Sequence, residues 1–121
     1  MDIRVCIPTM GNRGLDDLVS DHFGRAPYFT IVDSETNEVE VMENRSEHMG
    51  GSGKPPEHLA KAKVKVMLAS GMGPRAMAMF DQYGIYVLMG ARGTVRETLE
   101  LWRKGKLEGA SDELSCQEHR H

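Results

Sequence analysis

Two short apolar runs constrain the fold more than any other feature of this chain. VKVMLA at 64–69 and IYVLM at 85–89 are each followed by a glycine-bearing turn and then by a helix-like stretch, at 74–83 and 94–104. Strand-length runs with little alternation read as strands covered on both faces, and two consecutive strand–helix units imply a parallel pair with helical cover. Gly84 marks the end of the first of these helices. In the second, Thr94 with Glu97 fits a capping box, and Val95, Leu99 and Trp102 share one face.

The residues ahead of these units supply the rest of the sheet. DIRVCIP (2–8) alternates, with Ile3, Val5 and Ile7 facing one way, and is expected to end at Pro8. PYFTIVD (27–33) and VEVMEN (39–44) flank the turn SETNE and predict a hairpin. PEHLAKAK predicts a short helix over 56–63. The order βββαβαβα predicts an α/β fold: a mixed five-stranded sheet of order 3-2-1-4-5 with helices packed on it. The expected organisation is one domain over 1–104 and a polar C-terminal tail over 105–121.

Composition excludes several classes of function. A chain of 121 residues is one domain by length and buries a core without staples. A net charge of −3 argues against a nucleic-acid or acidic-membrane partner. No apolar run approaches the ~18 residues of a membrane span. MDIRVCIPTM reads as a strand, not a secretory signal. Two cysteines, Cys6 and Cys116, make no disulfide framework, so a cytoplasmic location is expected. Cys6, central in its strand, reads as a small buried hydrophobe.

Strand direction then gathers the chemistry. If the strands at 2–8, 64–69 and 85–89 run parallel, their carboxyl ends share one edge, which also receives the start of strand 27–33 and the end of strand 39–44. That rim collects TMGNRG, HFGR, NRSEHMGGSGK, SGMGPR and MGARGT. Open α/β sheets bind ligands there. Glycines admit close backbone approach, and the helix starts at Pro74 and Thr94 favour an anion. Arg13, Arg25, Arg45, Lys54, Arg75 and Arg92 lie on these loops, with His22 and His48, and Met49, Met72 and Met89 add soft sulfur. The rim predicts an anionic ligand, one containing metal and sulfide among the candidates, against the plainer reading that the glycines serve tight turns and the arginines are solvated. His22, Gly24 and Arg25 are presented to it, with Phe23 as an anchor packing below.

IRVCIPT, HFGRAPYFTIVD, NRSEHMGGSG, SGMGPRAMAMFDQYGIYV and GTVRETL together resemble the dinitrogenase iron–molybdenum cofactor biosynthesis family (NifX-like) over roughly residues 1–102. HFGRAPYF and GMGPRAM carry most of its specificity. The resemblance implies a ribonuclease-H-like fold and non-enzymatic binding or carriage of a metal–sulfur cluster or precursor (Fe–S, Fe–Mo or Mo–Cu sulfide). It implies proteins that donate or accept the cluster as partners. Small single-domain members include the orange protein, which holds its molybdenum–copper sulfide cluster noncovalently. By position the resemblance assigns His22 as the cluster contact, His48, Gly50, Gly51 and Gly53 to the glycine-rich stretch, and Gly71 and Gly73 to the turn. The chain has no CxxC pair, so a cluster held by four thiolates is not supported. His, Met, backbone N–H groups, and arginines including Arg25, Arg75 and Arg92 are left to hold the ligand.

Other residues carry weaker signals. Cys116, His119 and His121 in CQEHRH suit zinc or copper by type and spacing. His58, beside Glu57, reads as solvated; of Met77 and Met79, one is expected to face the core. Tyr28 and Phe29 occupy opposite faces of their strand, so at least one is core, and Trp102 is expected to pack. A nuclease of this fold needs converging carboxylates, and RVCIP has none. GGSGKPP fails the phosphate-loop pattern because proline follows its lysine. Two alternatives stay open: a regulatory module binding an anionic metabolite at the same rim, and a degenerate fold that only docks to a partner.

Overall fold

The protein is described by a computed structural model covering residues 3–44 and 55–109. Strands β1 (Arg4–Thr9), β2 (Tyr28–Asp33), β3 (Val39–Glu43), β4 (Val64–Ala69), β5 (Tyr86–Met89) and β6 (Glu108–Gly109) form one sheet of order β3-β2-β1-β4-β5-β6. Helices α1 (Pro55–Lys61), α2 (Pro74–Gln82) and α3 (Val95–Arg103) cover it. The predicted order 3-2-1-4-5 is the observed one, extended by the two-residue edge strand β6. β6 pairs antiparallel with Leu88 and Met89, while β1, β4 and β5 run parallel and β2 and β3 antiparallel to their neighbours.

β1 runs through Pro8 instead of ending there. The carbonyl and N–H positions of a strand residue point to the same side, and the Pro8 carbonyl accepts from Ser20 N at 2.9 Å. The missing N–H therefore faces the incoming loop, not β2, and the ladder loses nothing.

Alternation along the strands divides the core in two. Cys6, Phe29, Ile31, Met67, Ala69 and Val87 pack with Leu59 of α1 and Phe80 of α2 on one face. Val5, Ile7, Val32, Val66 and Leu68 pack with Val95 and Leu99 of α3 on the other. Val64 falls out of phase with Val66 because the β1–β4 register shifts between Arg4 and Val5, a bulge that leaves one residue over. Phe29 is buried while Tyr28 is only half-buried, and Trp102 packs against the α3-side core. Thus α2 and α3, at successive strand–helix junctions, lie on opposite faces of the sheet.

Candidate functional site

The segment before β2 crosses the rim and is fastened from both sides. The buried Ser20 hydroxyl donates to the His22 carbonyl (3.1 Å) and accepts from the His22 N–H (3.3 Å). Phe23–Arg25 then forms a 3-10 turn. The Phe23 ring stands 5.3 Å from Phe80, nearly edge-on, and 5.8 Å from Phe29. Such aromatic pairs add about 0.5–1.5 kcal/mol beyond the area they bury. Phe23 is the anchor expected of it, and its neighbours His22 and Gly24 stay exposed.

The turn after β4 faces this segment. Pro74 opens α2 at its first position, and Gly73 precedes it as the N-cap with no side chain to close the helix. His22, Gly24, Gly71, Gly73 and Arg75 all line one cleft of about 660 Å³. A Cβ placed on Gly24, Gly71 or Gly73 would meet nothing within 4 Å among the described residues, and none of the three has a positive φ. Backbone and packing do not demand glycine there; its consequence is an open wall with backbone within reach of a ligand.

The cleft includes residues that sequence reasoning did not assign to it: Asp21, Ala76 and Met79 join Phe23 and Met72 in its lining. Met79 lies four residues after Arg75 on α2, hence on the same helical face, which is the signal that could have found it. Met77 packs against the core, as one of this pair was expected to.

Other predicted residues stand elsewhere. Arg25 is exposed and outside the cleft lining. Arg92 lines a different cleft, about 550 Å³, with Glu97 and Glu100 of α3, and its guanidinium donates to the Gly90 carbonyl at 3.2 Å. Met89 packs partly buried against the core, and His58 is exposed. His48, Gly50, Gly51, Gly53, Cys116, His119 and His121 lie outside the described residues, as do Arg45, Met49 and Lys54.

The expected anion-accepting helix start at Thr94 needs correction. The capping box predicted from the sequence is present: Thr94 Oγ1 accepts from Glu97 N at 3.1 Å, and Glu97 Oε1 accepts from Thr94 N at 2.9 Å. The first turn of α3 is thus already occupied by a hydroxyl and a carboxylate of the same chain, which leaves it unsuited to an external anion.

Two further groups are structural. Asp17 is buried on the α3 side; its carboxylate accepts from Arg13 N (2.8 Å) and Leu18 N (2.7 Å). Burial alone would raise its pKa, but these bonds and the Arg13 guanidinium hold it below the ordinary value. Cys6 is a free thiol, fully buried, and burial pushes its pKa far up, so no thiolate is offered there. Among the described residues no three His, Cys, Asp or Glu side chains come together in a way that could hold a metal ion, and no helix is long and apolar enough to cross a membrane.

Comparison with known proteins gives a consistent result. A family model described as "Dinitrogenase iron-molybdenum cofactor" matches residues 1–105. The uncharacterized protein MJ0580 of Methanocaldococcus jannaschii is 32% identical over 111 residues, covering 88% of this chain and 90% of that protein. The apo form of the orange protein from Desulfovibrio gigas superposes with a TM-score of 0.80 at 31% identity, over 89% of this chain and 92% of that one. The NMR structure of TM1290 from Thermotoga gives 0.71 at 34% identity, over 88% and 92%.

Proposed function

The chain belongs to the dinitrogenase iron–molybdenum cofactor family, and from that premise we propose that it binds and carries a metal–sulfur cluster or its precursor, without catalysing a reaction. The cargo sits at the rim, in the cleft between His22–Gly24 and Gly71–Arg75, and passes to or from proteins that build or use the cluster. The observation that carries this reading is the open glycine wall: Gly24, Gly71 and Gly73, with no neighbour near a Cβ placed there among the described residues, line one cleft, and Gly73 is the N-cap of α2 with no side chain to close it. Unpaired amides at a helix start, a guanidinium and an imidazole attract an anion, and the missing Cβ atoms let it approach the backbone.

Retention of this kind is noncovalent. His22 is the one described histidine on the cleft wall, so enclosure and charge do most of the holding. A second reading, an anionic metabolite in the same cleft, is favoured by the lack of a three-ligand metal set among the described residues.

The test is anaerobic titration of the full chain with tetrathiomolybdate, with and without copper(I), and with an iron–sulfide mixture, followed by desalting and metal analysis. Retained colour at a fixed metal ratio, weakened by His22→Ala, is the expected result. A chain that holds no metal from any of these mixtures is not a carrier, and the metabolite reading takes its place.

A further inference from the structure

We infer that the thioethers of Met72 and Met79 set which anions the cleft accepts, favouring a soft, sulfide-bearing metal anion over a hard oxyanion of equal charge. The inference rests on the cleft being the cargo site and goes further by naming residues that select the cargo.

The wall offers little to an oxyanion. Each oxygen of a phosphate or molybdate gives up strong hydration on entry and needs a donor in return. The described side-chain donors are Arg75 and His22, supplemented by amides at the start of α2. The Asp21 carboxylate on the same lining opposes the charge of Arg75. The remaining surface includes Phe23, Met72 and Met79, and a thioether donates nothing to an oxygen. A sulfide-bearing anion spreads the same charge over larger, more polarizable atoms. It loses less on dehydration and gains dispersion against thioether sulfur and the aromatic ring. Soft sulfur also suits soft metal centres better than hard ones.

The placement of the methionines separates this from ordinary core filling. Met67 is fully buried and Met77 packs on the core. Met79, on the same helix as Met77, is turned to the cleft and is not among the residues packed against that core. Met72 does both, backing onto the core while lining the cleft.

Anaerobic equilibrium dialysis of the full chain against tetrathiomolybdate, molybdate and inorganic phosphate tests this, in wild type, Met79→Gln and Met72→Leu/Met79→Leu, with thermal midpoints checked. Leucine keeps the apolar volume and removes only the sulfur; Met79→Leu alone serves if the double variant unfolds. Wild type should prefer tetrathiomolybdate by about tenfold or more, and each variant should narrow that margin by roughly threefold. Equal binding of molybdate and tetrathiomolybdate overturns the inference while leaving an anion site. Wild-type selectivity in the leucine variant also overturns it, because shape and not sulfur would then select. Binding of none of the three anions removes the cargo site itself and this inference with it.

Discussion

The junctions after β4 and β5 look alike in sequence, SGMGPR and MGARGT, yet the fold treats them oppositely. After β5, Gly93 carries a φ of 74°, and Thr94 and Glu97 close the helix start reciprocally. The loop is further held by Thr98, whose hydroxyl donates to Arg92 O at 2.9 Å and accepts from Arg92 N at 3.1 Å, and by Val19 N donating to Gly93 O at 2.9 Å. After β4, Gly73 has extended backbone, no side-chain cap and, among the described residues, nothing within 4 Å of a Cβ placed there. One junction spends its side chains on stability; the other leaves its helix start open to a cleft. A glycine-rich loop is thus not a binding feature by composition. On the proposed reading it becomes one where the helix start carries no side-chain cap.

The sharpest way to break this contrast is to remove what supports the closed junction. Asp17 braces the loop that packs there, and its own carbonyl accepts from Val95 N at 2.9 Å. Asp17→Ala strips the partner from two amides and should cost about 2–3 kcal/mol by urea denaturation. The group also predicts a pH dependence. Its folded pKa lies below the ordinary 3.8, so its contribution is complete above that value and is lost as pH falls through the lower folded value. Wild type should therefore lose stability between neutral and strongly acid pH more steeply than Asp17→Asn; parallel losses would deny the carboxylate its bracing role.

A smaller effect is expected at the cap itself. An alanine at Gly93 would have to hold a left-handed backbone, and its Cβ would overlap the Glu97 carboxylate, for a cost of about 1–2 kcal/mol. Thr94→Ala should cost about 1 kcal/mol. The double variant should cost less than the sum, since both changes break one box. Thiometallate retention should survive both, because neither Gly93 nor Thr94 lines the cleft. Loss of retention in Thr94→Ala would mean that the two junctions are not separate.

The smallest change in stability should come from closing the open junction. Gly73→Asp places a capping carboxylate where the N-cap has no side chain and where no described residue stands within 4 Å of a Cβ placed there, and should stabilise α2 by a few tenths of a kcal/mol. The same carboxylate should abolish thiometallate retention by occupying the helix start with negative charge. A capped variant that still retains the anion would move the site away from the start of α2.

Much of this protein was legible in its residues because local chemistry is enough to write it. Alternation marked the strands, apolar runs at 64–69 and 85–89 marked the parallel pair, and strand direction alone carried the glycine loops to one rim. Thr94 and Glu97 announced their cap, since a capping box is complete within four residues. Other features were beyond local reading. Pro8 continues its strand because its blank side meets Ser20, a contact made only in the folded loop. Residues 105–121 read as a tail, yet Leu107 packs on the α3-side core and leads into β6.

The sidedness of the rim was decided by the tertiary structure. Arg75 and Arg92 both follow consecutive parallel strands, Arg75 within the first turn of α2 and Arg92 two residues before the Thr94 cap of α3, and residue type does not say that they face different clefts. They part because α2 covers one face of the sheet and α3 the other. His22 joins Arg75 because Phe23 needs the aromatic pocket of Phe29 and Phe80, which exists only on the α2 face. The amino-acid sequence determined which residues reach the rim. Which of them share a cleft follows the packing of the half-buried Phe23 ring on Phe29 and Phe80, a free-energy gain that appears only when three distant segments pack together.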